Sequence, residues 1–498
     1  MTAKCSFLLI FFKKVIIYEP ERRIAYFVDF FWSFIYNDAM ATKRKFKLPP
    51  AAMIAISVFS VIAVGTALLC IPAASNSGEV DFLAAFFTAT SATCVTGLSA
   101  VDTASHWSYF GQAIILVLMQ IGGLGLITIL SVFFLYLQKH TSLSQRKLVM
   151  QSAGFVSLEG MKKLVKYIII VTFACEFIGS FALCFSFVPV MGWGRGIWQS
   201  VFTGVSAFCN CGYTLTGWYG QDSLNAYISD PVVCLTVSAL IVIGGIGFFV
   251  WGDVIKNGIH LKRYSFHSKV VLTTTAALIL VGWAMFMAFE WNNPATIADK
   301  DVGTKLLATL FMSISPRTAG FNTVSSKYLS GAGGMLSIVL MFIGGSPGST
   351  AGGIKTTTLA VLVMSAISTS RRRAEAHIFN RRFEDDAYPQ AGTVFSIYIT
   401  AVILSSMIIC ALECDNPAVA NVADGSVNIH YVVFEVVSAI GTVGLSCGIT
   451  GAVGAASQLI LIFLMFLGRV GGFTLILVFT NERKPVTISR VAGNLIIG

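Results

Sequence analysis

Charge is what this chain has least of: Asp, Glu, Lys and Arg make up only 12% of its 498 residues. A soluble chain of this length carries about twice that share to keep its surface wet, so a water-soluble globule is excluded. Histidine is scarcer still. All six, His106, His140, His260, His267, His377 and His430, fall in loops or at the ends of apolar runs, which leaves no general base deep inside them. The 11 cysteines lack the paired spacing of an extracellular disulfide frame. Cys70, Cys175, Cys184, Cys234 and Cys410 sit within apolar runs and read as small apolar fillers. Cys209-Asn210-Cys211 has no third ligand nearby for a metal. There is no dinucleotide fingerprint, and the stretch Gly348–Thr356 fails as a phosphate loop because Ile354 separates Gly353 from Lys355.

Apolar residues fill the space that charge leaves: 55% of the chain is hydrophobic and the mean hydropathy is +0.78. Eight stretches, 51–71, 107–137, 165–191, 232–252, 268–289, 335–367, 394–413 and 456–480, approach or exceed the length that a bilayer demands of a helix. The basic excess is confined to alternate connections, around Lys43–Lys47, Lys139–Lys166, Lys262–Lys269, Arg371–Arg382 and Arg483–Arg490. By the positive-inside rule these connections and both termini are cytoplasmic. That placement makes a nucleic-acid-binding face unnecessary to explain the net charge of +10. The other connections carry Glu79, Asp81, Asp102, Asp222, Asp230, Glu290, Asp299, Asp301, Glu413, Asp415 and Asp424, an acidic outer face expected to gather cations.

Between the two spans of each pair lies a shorter apolar run that closes on a glycine. The fourth is the most explicit: Tyr431–Ala439 is followed by Ile440-Gly441-Thr442-Val443-Gly444-Leu445, which reads like a potassium-filter strand, where backbone carbonyls replace the water around a cation. Three more runs end alike, in Thr93-Cys94-Val95-Thr96-Gly97, Cys209-Asn210-Cys211-Gly212-Tyr213 and Arg317-Thr318-Ala319-Gly320-Phe321. A third crossing in each unit would put successive basic loops on opposite sides, so each short run must dip in and return. Irregular backbone at that depth is tolerated only where it lines a water-filled cavity.

The expected fold is therefore an all-α polytopic membrane protein of four helix–re-entrant pore helix–helix repeats around one pseudo-fourfold pore. Its repeats are 50–140, 163–257, 267–370 and 390–482, flanked by a cytoplasmic segment 1–49 and a tail 483–498. Met40-Ala41-Thr42-Lys43 resembles an ordinary start, so residues 1–39 read as an over-long start or an interfacial segment. The expected cation site comprises Thr93, Val95, Thr96, Gly97, Cys211, Gly212, Thr318, Ala319, Gly320, Thr442, Val443 and Gly444.

The second spans share a further signature, Gln120-Ile121-Gly122-Gly123-Leu124-Gly125, Val242-Ile243-Gly244-Gly245-Ile246-Gly247, Phe342-Ile343-Gly344-Gly345 and Phe466-Leu467-Gly468-Arg469-Val470-Gly471. In the first two, close helix packing through small residues accounts for it. In the third, Gly344-Gly345-Ser346-Pro347-Gly348-Ser349-Thr350-Ala351-Gly352-Gly353 cannot stay helical and places a loop inside the membrane, well placed to obstruct the path. In the fourth, Arg469 puts a charge where it is costly and functional by default. Glu435 is expected to pair with Arg317, and Glu176 has no evident partner. Gly344–Gly348 also fits a nucleophile pattern around Ser346, the basis of a remote reading as an intramembrane serine hydrolase.

From about Pro49 to the C-terminus, these motifs together resemble the Trk/Ktr/HKT superfamily of cation transporters, and within it the bacterial Ktr-type membrane subunit. The resemblance implies potential-driven potassium uptake across the bacterial cell (inner) membrane. It implies a homodimer seated on a ring of cytoplasmic nucleotide-binding regulatory subunits, with nucleotide held only by that partner, no cofactor in this chain, and sodium as an optional activator. It makes 344–353 the gate, with Arg469 against it, and Gly97, Gly212, Gly320 and Gly444 the filter glycines. Glycine at position 97, where many sodium-conducting members have serine, favours potassium. Cys209, Cys211 and Tyr213 depart from the usual second filter, which keeps a sodium-permeable or sodium-coupled transporter as the alternative.

Overall fold

The computed structural model describes residues 50–125, 158–219, 223–258, 260–372, 377–384, 386–422 and 428–471. The expected segment 1–49, the basic connection around Lys139–Lys147 and the tail 483–498 lie outside the described residues. Those described are mostly helical. A two-residue hairpin, β1 (His377–Ile378) with β2 (Arg381–Arg382), sits in one basic connection.

The helices run α1 (Pro50–Leu69), α2 (Phe82–Thr93) and α3 (Tyr109–Leu124) in the first quarter. The second holds α4 (Leu158–Met191), α5 (Trp193–Phe208), α6 (Pro231–Gly245) and α7 (Phe248–Asn257). The third holds α8 (Phe266–Glu290), α9 (Val302–Ile314), α10 (Gly331–Phe342) and α11 (Thr356–Ser370). The fourth holds α12 (Ala387–Glu413), α13 (Ile429–Gly441) and α14 (Ala455–Val470). Their starts are set by side-chain caps that satisfy otherwise orphaned N–H groups: Asp81 for α2, Ser108 for α3, Asp230 for α6, Asp301 for α9, Ser330 for α10 and Asn428 for α13. Three of the acids assigned to the outer face thus also begin helices.

Among the described residues three uninterrupted helices, over Val165–Met191, Phe266–Glu290 and Ala387–Glu413, are long and apolar enough to cross a bilayer, and bent α6–α7 makes a fourth if the pair is one broken span. Their outward faces are apolar and exposed, as Phe173, Phe177, Phe181 and Phe185 show on α4 and Leu404, Met407 and Ile408 on α12. Such faces suit lipid, because hydrocarbon and leucine are equally apolar and burying them gains nothing there. One of the eight expected spans is corrected: stretch 232–252 bends by 97° between α6 and α7. Stretch 335–367 divides into α10 and α11 around the non-helical loop expected at 344–353. Stretches 107–137 and 456–480 are helical to Leu124 and Val470 and continue outside the described residues.

The short helices form the interior. In α2 every residue from Ala84 to Thr93 is buried, and Phe87, Phe208, Phe311 and Phe434 contribute fully enclosed rings from α2, α5, α9 and α13. Each quarter's later helix packs on the next quarter's short helix: α3 on α5, α6 on α9, α10 on α13, and α14 back on α2. The cycle closes because the last contact returns to the first quarter.

Glu290 and Glu413, expected among the outer acids, are instead enclosed, a second correction. Glu290 accepts hydrogen bonds from the Ser330 N–H and hydroxyl, Asn293 Nδ2 and Thr296 Oγ1. Glu413 accepts from the Gly454 N–H, Ser457 Oγ and Asn416 Nδ2. In both quarters the carboxylate closing the long helix thereby holds the start of the later one.

Candidate functional site

The site begins with how the short helices end. In α2 the Val95 N–H donates to Ala92 O and the Thr96 N–H to Ser91 O; in α5 Asn210 donates to Ala207 O and Cys211 to Ser206 O; in α13 Thr442 donates to Ala439 O and Val443 to Ser438 O. This is the Schellman pattern, which requires a residue of positive φ just past the helix. Those residues are Val95 (φ 56), Asn210 (φ 58) and Thr442 (φ 52). In the third quarter Thr318 (φ 70) takes the same conformation, but the Ala319 N–H reaches Ser315 O instead. For β-branched Val95, Thr318 and Thr442 a positive φ is strained, whereas Asn210 takes the same conformation readily.

Two residues on, the backbone turns again through a glycine: Gly97 (φ 84), Gly212 (φ 86), Gly320 (φ 77) and Gly444 (φ 92). A Cβ at Gly97 would strike the carbonyl oxygen of Cys211, one at Gly212 that of Ala319 at 2.7 Å, one at Gly320 that of Val443 at 2.5 Å, and one at Gly444 that of Thr96. The relation runs from first to second, third, fourth and back to first quarter. It brings all four expected filter segments together as one closed ring of glycines and carbonyls.

The hydroxyls of Thr93, Thr96, Thr318 and Thr442 lie buried beside the ring with no hydrogen-bond partner. Tyr213 ties two quarters together, its phenol donating to Leu98 O at 3.1 Å. Asn210 belongs to the site and was missed by sequence reasoning. The available signal was the tolerance of asparagine for the left-handed region, two residues before a glycine.

Beneath the ring the glycine pairs do two jobs. A Cβ at Gly122, Gly244 or Gly468 would collide with the last carbonyls of the short helices, those of Thr93, Phe208 and Ile440. That is the expected close packing. The closing glycine of the first, second and fourth signatures instead ends its helix: Gly125 (φ 76), Gly247 (φ 96) and Gly471 (φ 89) all take positive φ. An unbroken helix through the first two signatures is therefore corrected.

The loop 344–353 leaves the helix as expected. Its ends are closed by the Gly344 N–H on Ile354 O and its body is held to the second quarter by Ser346 N–H on Gly245 O, Thr350 N–H on Gly244 O and Phe248 N–H on Gly348 O. Gly345, Pro347, Ser349 and Ala351 lie in this run, with Ser349 Oγ donating to Ser346 O at 2.6 Å. Gly352 and Gly353 press against the segment that follows α13, where side chains would meet Thr442 Oγ1 and Gly441 O. Arg469 donates to Thr350 O at 2.5 Å and to Gly122 O, joining the loop to the first quarter. Lys355 Nζ donates to Ala351 O at 2.7 Å. Ser346 is fully enclosed and accepts from Thr356 Oγ1 at 3.0 Å.

Glu435 does not pair with Arg317. Its carboxylate accepts from Ser446 Oγ, the Cys447 N–H and Thr450 Oγ1, bracing the segment after the fourth filter, while Arg317 Nε has no partner. Glu176, left without a partner by the sequence, accepts from Gln120 Nε2 at 2.9 Å.

Residues 24–485 match the family described as Cation transport protein, TrkH. The chain is 38% identical over 438 residues to the potassium/sodium uptake protein NtpJ of Enterococcus hirae, covering 88% of this chain and 94% of that protein. It is 36% identical over 438 residues to the Ktr system potassium uptake protein B of Bacillus subtilis, with 88% and 94% covered. Its fold is similar to the crystal structure of the potassium transporter TrkH from Vibrio parahaemolyticus, with a TM-score of 0.64 and 18% identity over 95% of this chain and 94% of that one.

Proposed function

The chain belongs to the TrkH family of cation transport proteins, and from that premise we propose that it carries potassium into the cell through one pore, built from four helix–re-entrant helix–helix repeats. The observation that supports this most is the ring in which the carbonyls of Thr96, Cys211, Ala319 and Val443 each abut the glycine of a neighbouring quarter. Four inward carbonyl segments replace the hydration shell of a monovalent cation. The four short helices direct their partially negative C-terminal ends at the same place, which favours positive charge there. Thr93, Val95, Gly97, Gly212, Thr318, Gly320, Thr442 and Gly444 complete the filter in this reading.

The inside-negative potential drives uptake, contributing about 2.3 kcal/mol per charge for each 100 mV. The loop 344–353, from Gly344 to Gly353 beside the fourth filter segment, is the gate, and Arg469 holds it. The protein works as a multi-pass subunit of the bacterial cell membrane with cytoplasmic termini, as a homodimer on a nucleotide-binding regulatory ring. The name of the Bacillus subtilis relative, a component of a Ktr system, supports a partner subunit. The name of the Enterococcus hirae relative, which pairs potassium with sodium, keeps sodium permeation as the second reading.

The test is potassium and sodium flux into proteoliposomes of the purified subunit under an imposed inside-negative potential. Potassium flux well above sodium flux, abolished by Gly444→Ser, is the expected result. Sodium flux equal to or above potassium would overturn the substrate while keeping the pore. Absence of both, persisting after the regulatory ring is added, would overturn the pore itself.

A further inference from the structure

Behind the second filter segment lies a buried carboxylate that the transport reading does not use. Glu176 sits in the middle of α4, 4% exposed, where a charge is expensive unless something offsets it. Its partners are Gln120 Nε2, at 2.9 and 3.2 Å to the two oxygens, and the Cys209 thiol at 3.9 Å. Among the described residues no lysine or arginine donates to it. If the carboxyl is ionised, the offsetting positive charge must come from elsewhere.

Its surroundings say where. Cys209 is the residue that caps α5, and Cys211, two positions later, supplies one carbonyl of the ring. The Cys209 sulfur occupies the space that a side chain at Gly123 would need, so glycine there lets the thiol lie between α3 and α4. Glu176 therefore stands at the C-terminal, partially negative end of α5, where an extra negative charge opposes the helix dipole. Helix and carboxylate repel unless a cation occupies the ring. The Arg469 guanidinium donates to Gly122 O, beside the Thr93 carbonyl that ends α2, and as a fixed positive charge it disfavours the same cation.

We propose that Glu176 is an ionised positioning residue whose charge, held by Gln120 and Cys209 behind the second filter, raises the affinity of the ring for a monovalent cation and counterbalances Arg469. The titratable or charged groups around it are Cys175 on its own helix, Cys209 on α5 and Arg469 across the filter. This inference rests on the reading of the ring as the cation site. It assigns the second quarter, the one with Cys209-Asn210-Cys211 ahead of its glycine, a compensating charge of its own.

The experiment compares the potassium concentration for half-maximal flux, K½, in proteoliposomes of the whole subunit, its regulatory ring added if flux requires it. Glu176→Gln keeps the shape and the hydrogen-bonding reach toward Gln120 and the thiol while removing the charge. The expected result is a rise in K½ of about tenfold, with maximal flux affected less. That is the size a unit charge delivers across roughly 12 Å at an effective dielectric of about 20. Glu176→Asp, which keeps the charge, shifts K½ by less than about threefold. A K½ for Glu176→Gln within about twofold of the parent assigns the side chain to packing and overturns the proposal. Should that variant not assemble, Glu176→Asp decides, since a tenfold rise with the charge retained also overturns it. Lack of saturable potassium flux in the parent would bring down the filter reading and this one together, whereas saturable flux unmoved by Glu176→Gln brings down this one alone.

Discussion

Gly97 and Cys211 stand so close that the carbonyl oxygen of Cys211 fills the place a side chain on Gly97 would need. The two residues come from different quarters, 114 positions apart by number, and the same relation joins Gly444 to Thr96 across the chain's full turn. Alanine at Gly97 must displace that carbonyl and also adopt φ 84, which costs an L-residue about 1–2 kcal/mol. Gly97→Ala is expected to lose potassium-over-sodium selectivity in proteoliposome flux while the helices remain folded by circular dichroism. Unchanged selectivity would show that the ring does not contact the ion.

Arg469 holds the loop through Thr350 O and the first quarter through Gly122 O. A hydrogen bond to a charged donor contributes about 1.5–3 kcal/mol, so releasing the loop shifts an open–closed balance by roughly tenfold or more. Arg469→Gln is expected to raise basal potassium flux, and deletion of Gly348–Gly352 to raise it further. A properly assembled deletion variant with equal or lower flux would remove the loop from the role of gate.

Glu413 is 3% exposed and receives three donors from the start of α14 and from Asn416. Glu413→Ala strands those donors, and a destabilisation of about 2–3 kcal/mol follows. The check is thermal unfolding in detergent, with a Tm lowered by several degrees and ion selectivity retained in the surviving protein. Loss of selectivity at unchanged Tm would mean that the carboxylate serves the ion path instead of the helix junction.

Asp301 caps α9 by accepting from Thr304 N–H at 3.0 Å and Thr304 Oγ1 at 2.6 Å, and these bonds hold its carboxyl below the ordinary aspartate range. A group whose folded pKa is depressed stabilises the fold above its unfolded value, about 3.9, and that contribution disappears as pH falls through the folded value. Unfolding temperature measured from pH 5 downward should therefore fall less steeply in Asp301→Asn than in the parent. Parallel pH profiles would show that the cap is indifferent to ionisation.

The legible part of this protein is the part written in local chemistry. Scarce charge and long apolar runs determined a membrane protein. Four glycines after short apolar runs marked the segments that meet in the ring, and a proline among five glycines ended the helix at 344–353, because each depends only on what a residue type permits its own backbone to do. The glycine signatures showed close packing but concealed that Gly125, Gly247 and Gly471 terminate their helices, since a glycine serves either purpose and only the neighbouring carbonyls choose. The pairing of Glu435 with Arg317 was wrong for a related reason. Opposite charges near the same ring suggested an ion pair, but Ser446, Cys447 and Thr450 lie within reach of the carboxylate and satisfy it first. The partners of Glu176 and the order in which each glycine meets the next quarter's carbonyl were decided by tertiary structure alone. They are relations between segments far apart in the chain, set by how α3, α6, α10 and α14 each pack on the following short helix, and no local periodicity encodes which neighbour that will be.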